Sequence, residues 1–175
     1  MSAEVQEKWL KWVALTTTIL AVCASFASMK GGGYSTQVQL MTTQESDQWS
    51  YFEAKSIKLH LGEMEKDIFK VDALSISDPV VKNEIQGKIK VLEDNISRYG
   101  KEKDAIKNGI DNLSGKQEMA KRHGGNFGLA VMFFQISIML SAIGSLLKQR
   151  TAWLFGLAIG FFGLVYFLNG FYLIF

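Results

Sequence analysis

The sequence predicts an all-α integral membrane protein with three transmembrane helices and a long extramembrane antiparallel coiled-coil hairpin. Three observations carry that expectation. Uncharged runs occupy Trp12–Met29, Phe127–Leu147 and Thr151–Phe175 of the 175-residue chain. Each is about long enough, at about 1.5 Å per residue, to cross roughly 30 Å of hydrocarbon as a helix. The block from Lys30 to Gly124 holds 15 Lys plus Arg and 15 Asp plus Glu, so nearly all the charge lies there and cancels. Within that block apolar residues recur at alternating steps of three and four, the spacing of a seam between paired helices. The expected segments are therefore an N-terminal tail and first span over 1–30, a hairpin over 31–123, and two further spans over 124–175.

Composition removes several functions. A neutral charged block and a net charge of +2 give no nucleic-acid signature. Cys23, the sole cysteine, lies in the first apolar run, so no internal disulfide forms. The three spans contain no Asp, Glu, Lys, Arg or His, the groups that proton relays and pumps keep in the membrane despite their cost.

The first span, preceded by Lys8 and Lys11, has a rival interpretation as a secretory signal ending in the small residues "CASFAS". Val22 is bulky for a lipoprotein-type site, and Glu4 and Glu7 are out of place in a basic leader. After the span comes "KGGGYST". Its three glycines suit a hinge at the membrane surface, with Ser35 or Thr36 capping a new helix. Along that helix Ala54, Ile57, Leu61, Met64, Ile68 and Val71 form a seam; Tyr34, Val38 and Met41 keep the same spacing upstream, until Glu45 and Gln48 make it polar. "LSISDPVV" interrupts the pattern, and Asp78 and the only proline, Pro79, suit the N-cap and first turn of the next helix. That helix carries the longer seam of Ile85, Ile89, Leu92, Ile96, Tyr99, Lys103, Ile106, Ile110 and Leu113. Arms of about 40 residues would reach roughly 60 Å. Ser114-Gly115 and His123-Gly124-Gly125 are expected weak points of the returning arm.

No chemistry assembles from these pieces. Glu53, His60, Glu63 and Asp67 share a helical line, but a bridged metal site needs matching ligands from other helices, and the second arm offers only scattered Glu93, Asp94 and Asp104. No metal or other cofactor is expected, and no nucleophile elbow or catalytic set is present. "KGGGYST" lacks the phosphate-loop pattern. Lys103 interrupts its seam; it either fixes register or lines a space between protomers, and a register in which paired numbers fall near 152 would set it opposite Asp47–Trp49.

The spans carry small-residue faces: Ala14, Thr18, Ala21, Ser25 and Ser28 in the first, Ser137, Ser141 and Ser145 in the second, Ala152, Gly156, Gly160 and Gly163 in the third. Such faces let helices approach closely, within a protomer or between protomers, and Thr and Ser could also line a pore. Gln135 and Asn169 are expected to bond to another helix. Leu40, Trp49, Tyr51, Leu59 and Phe69 lie off the first-arm seam and would form an exposed stripe on a monomer. Trp49, Tyr51, Gly156, Gly160 and Gly163 are the candidate contacts of a homo-oligomer. Lys148 and Arg150, in a very short turn, predict a cytoplasmic turn and N-terminus with the hairpin periplasmic; Lys8 and Lys11 agree, whereas Lys30, Lys121 and Arg122 flank the hairpin.

The stretches "WLKWVALTTTILAVCASFAS", "KGGGYSTQVQLMTTQESDQW" and "YFEAKSIKLHL", followed by two terminal apolar spans, resemble bacterial membrane proteins of domain-of-unknown-function family 4337. The resemblance is most specific from Trp9 to Leu61. It implies a bacterial inner-membrane protein and supplies no activity, catalytic residue or cofactor. The expected role is non-enzymatic: an oligomeric membrane scaffold or interaction module, binding the lipid bilayer, its own copies and a protein partner at the hairpin. The alternative is a small homo-oligomeric channel or transport component.

Overall fold

Long runs of good helix formers with only one proline leave few places to end a helix, and the described residues form three helices. In the computed structural model, which describes residues 3–175 and side chains from Trp9 onward, α1 spans Ala3–Ser75, α2 spans Pro79–Leu146 and α3 spans Arg150–Tyr172. Glu4, Glu7 and Lys8 lie outside the residues whose side chains are described. Each helix contains a stretch long and apolar enough to cross a membrane. Cα packing divides the chain into two units: 1–40 with 117–175, and 41–116. The limits at 30/31 and 123/124 mark where charge changes; packing divides the chain further into the charged block because Tyr34 and His123 pack together with their rings 4.9 Å apart.

In the unit of 1–40 and 117–175, one face of α1 packs on α2. Leu20, Ala27, Phe127, Ala130 and Phe134 form the buried centre, with Tyr34, Tyr166 and Phe167 against it. The expected hinge at Gly31–Gly33 is absent, because α1 runs through all three glycines. At the first of them the helices approach closely: a Cβ on Gly31 would lie 3.3 Å from Phe127 Cβ, and one on Gly124 would lie 3.3 Å from Tyr34 Cβ. Gly31 and Gly124 thin the crossing of two helices, whereas Gly32 and Gly33 have open space beside them and simply continue α1. Thr36 does not cap; its hydroxyl donates to the Gly32 carbonyl at 3.1 Å within the helix. α2 likewise passes through Ser114-Gly115 and His123-Gly124-Gly125 without a break.

The turn between α2 and α3 is tight. Lys148 takes the left-handed conformation at φ 54, and the Gln149 N–H donates to the Gly144 carbonyl at 2.9 Å. This closes the end of α2 as a C-terminal cap. At Gly144 a Cβ would meet Trp153 N at 2.9 Å, so only glycine lets α3 leave this turn so close to α2.

In the unit of 41–116, residues 76–78 join two antiparallel helices. Asp78 is the cap expected of it: its Oδ1 accepts from Val80 N at 2.9 Å, and its carbonyl accepts from Lys82 N at 3.0 Å. The second-arm seam lies against α1, with Ile85 and Ile110 buried and Ile89, Leu92, Ile96, Tyr99, Lys103, Ile106 and Leu113 half-buried. The first-arm seam does not. Ala54, Ile57, Leu61, Met64, Ile68 and Val71 are exposed, and Met41, Glu45, Gln48, Phe52, Lys55, Leu59, Gly62, Lys66 and Phe69 face α2 instead. This packed set continues the Tyr34–Val38–Met41 spacing in phase through the polar positions. Phe52, Leu59 and Phe69 supply its apolar bulk, while Gly62 admits Ile96, whose Cγ1 would sit 3.2 Å from an added Cβ.

Candidate functional site

Between the two arms, Lys55 and Lys103 are polar seam positions that find partners on the facing helix. Lys55 binds Glu102 at 2.5 Å and lies 5.3 Å from the Tyr99 ring centre. That hydrogen bond, the largest influence on it, holds the Glu102 carboxyl below its ordinary range. Lys103 stands 5.1 Å over Phe52, Lys107 5.0 Å over Trp49 and Lys88 5.8 Å over Phe69. Cations over aromatic faces are worth roughly 0.5–1 kcal/mol each at exposed sites. Such a ladder explains how α2 pairs with a face that looks too polar to be a seam. Lys103 therefore faces Phe52, about one helical turn beyond the Asp47–Trp49 region expected of it.

Two of the hairpin's open surfaces bear on function. One is a shallow groove lined by Gln44, Asp47, Gln48, Tyr51, Asn108, Gly109, Asn112, Leu113 and Lys116. Gly109 makes room for Gln48, whose Oε1 would lie 3.2 Å from an added Cβ. The other is the outer stripe of α1. Leu61 is 59% exposed and Val71 63%, and Ile57, Met64 and Ile68 are equally open. Sequence reasoning assigned this stripe to the intramolecular seam, because it is the more apolar of two sets sharing the same spacing. The signal that separates them is phase, since only the other set continues Met41–Glu45–Gln48 without a slip.

The proposed oligomer contacts are placed as follows. Trp49 packs edge-on to Phe52 at 5.4 Å beneath Lys107, and Tyr51 is exposed beside the groove. Leu59 and Phe69 are half-buried against α2, so the exposed stripe expected of them passes to the Ile57–Val71 face. Gly156, Gly160 and Gly163 are buried within the chain. A Cβ at Gly156 would meet the Ser137 carbonyl at 2.9 Å, and one at Gly163 would meet Phe134 at 2.7 Å. That face is filled by α2 and is closed to a second copy. Ser137 accompanies it, donating to the Gly156 carbonyl at 2.6 Å.

The remaining polar groups of the apolar segments divide by end. At one end Trp153 Nε1 donates to Thr16 Oγ1 at 3.2 Å, and Arg150 lies 5.7 Å from the Trp9 ring centre. At the other, His123 Nδ1 lies 2.7 Å from the Gly170 carbonyl. Asn169 bonds its own C-terminus, not another helix: its Oδ1 accepts from Ile174 N at 2.7 Å and Phe175 N at 3.1 Å. Gln135 is exposed on α2. The first-span face of Ala14, Thr18, Ala21, Ser25 and Ser28 is also exposed, although Thr18 and Ser25 donate to carbonyls of their own helix at 2.8 and 2.9 Å. His60 and Glu63 form an exposed pair at 3.1 Å, and no cluster of three metal-ligating side chains forms among the described residues.

The geometry defines an all-helical protein with three candidate membrane spans and a paired-helix hairpin. Residues 9–173 match the model of the family described as Domain of unknown function (DUF4337), and the chain belongs to that family. No curated protein and no solved structure matches it.

Proposed function

We propose that this chain is a non-enzymatic membrane-anchored interaction protein whose hairpin presents the outer face of α1 to another protein surface. The exposed stripe of Ile57, Leu61, Met64, Ile68 and Val71 carries this reading. Apolar area left contiguous on a soluble surface usually marks an interface, since keeping it in water costs about 25 cal/mol per Å². The hairpin needs no such stripe to fold, because its arms are already paired through the opposite face. In this reading the three apolar segments span a membrane, where the outward Leu15, Ile19, Val22 and Phe26 meet lipid.

The test is the doubly substituted Leu61→Asp, Ile68→Asp protein, compared with wild type by native electrophoresis and amine cross-linking in membranes. Wild type is expected in a larger assembly that the variant loses while its helical content stays. A wild-type chain that migrates alone and cross-links to nothing overturns the reading. A second reading, a small channel or transport component, draws on the exposed Thr18 and Ser25 face. It requires conductance in reconstituted bilayers.

A further inference from the structure

We propose that the stripe Ile57–Leu61–Met64–Ile68–Val71 is the seam of a parallel, in-register contact with α1 of a second copy of this chain. The inference rests on the hairpin being an interaction module and names its partner. The stripe advances by alternating steps of four and three residues, and its residues are 58–63% exposed (58, 59, 62, 58 and 63%). Ala54 extends it by one step. It is thus a second seam on the face of α1 opposite the one that packs on α2, and roughly 25 Å long at about 1.5 Å per residue.

Charge selects the partner. In a parallel pair, a residue on one flank of the seam lies beside the residue about five positions later on the other helix. Glu53 then meets Lys58 of the second copy, and His60 meets Glu65 of the second copy. Asp67 meets Asp72 of the second copy, a like-charge contact made twice by symmetry at the end nearer the turn. His60 already leans on Glu63 of its own helix at 3.1 Å, so Glu53 and Lys58 fix the register. Copies inserted in one bilayer share an orientation, which makes their α1 helices parallel and raises their effective concentration.

Other occupants fit less well. The outer face of α2 is mainly polar, with Asp94, Arg98, Lys101 and Asn108 around the scattered apolar Val91 and Ala105, so it gives the stripe no continuous seam to bury against. A lipid surface calls for a basic border, whereas this stripe is bordered mainly by acidic residues, Glu53, Glu65, Asp67 and Asp72, with Lys58 and His60 between them.

The experiment uses the full chain in membranes with Cys23→Ser and a single new cysteine at Ile57, Leu61, Met64 or Ile68, or at Leu59 as the α2-facing control. Mild oxidation is expected to link each stripe position to itself and to leave Leu59→Cys unlinked. With Leu61→Cys as reporter, Glu53→Lys should lower the linked fraction about two- to fivefold, the scale of the two symmetry-related exposed ion pairs it removes. Adding Lys58→Glu should restore it, and Asp72→Lys should raise it. Self-linking that is stronger at Leu59 than at Leu61, or that ignores the charge exchange, overturns the proposal. A photo-crosslinker at Leu61 that joins only a different protein overturns the self-contact while leaving the interaction module standing. One that joins no protein overturns both.

Discussion

Two serines one helical turn apart show how much a single hydroxyl depends on its neighbour. Ser137 is fully buried and donates to the Gly156 carbonyl at 2.6 Å, whereas Ser141, also fully buried, has no hydrogen-bond partner for its Oγ among the described residues. Losing a made bond costs about 0.5–1.5 kcal/mol, and removing an unmatched buried hydroxyl costs little or stabilises. Ser137→Ala should therefore lower thermal stability in detergent by about 1 kcal/mol. Ser141→Ala should leave it unchanged or raise it, and equal losses would contradict the assignment. Glu102 adds a pH dependence. Its folded-state carboxyl titrates below the ordinary value of 4.5 because Lys55 is bonded to it. Its contribution is thus present above that value and lost as pH falls through the lowered one. Protease resistance of the hairpin should fall in that acid window, and Glu102→Gln should weaken the neutral-pH protein while flattening the acid loss. At this scale the sequence offered residue types and no partners. Asn169 was legible as polar, but its bond to its own C-terminus depends on Leu173 turning left-handed at φ 46.

Along the helices, legibility followed how far one pattern dominated. The α2 seam was readable because no competing apolar set exists there. In α1 two sets share a spacing, and the more apolar one faces outward. Apolarity misleads here because lysine stems and cation–aromatic contacts make the other face buriable. The glycines of "KGGGYST" misled for a related reason, since sequence shows conformational freedom but not the helix that will lie 3.3 Å from a Cβ at Gly31. The register is testable through α2. Ile96 packs over Gly62, so Ile96→Asp should cost about 1–3 kcal/mol. Lys90, exposed on the far side, should accept Lys90→Asp within about 0.5 kcal/mol. Limited proteolysis of the hairpin reads both, and equal sensitivity would mean the seam is misplaced.

At the scale of the whole molecule two apolar features stand out, the spans and the outer face of the hairpin. Trp9, Trp153 and Arg150 gather at one end of the membrane-type unit, an arrangement suited to an interface belt on the side that retains short basic loops. We propose that this side is cytoplasmic and that the hairpin is on the opposite side. Cysteines at residue 76 and in the 148–150 turn, probed with an impermeant thiol reagent on intact spheroplasts, should label at 76 only, and the reverse pattern would invert the topology. The claim that the outer face of α1 meets protein is tested most directly by a photo-crosslinker moved one residue at a time from 54 to 71 in the full chain in native membranes. Adducts are predicted at 57, 61, 64, 68 and 71, with none at 55, 59, 62, 66 and 69. Adducts on the second set, or at no position, would contradict it.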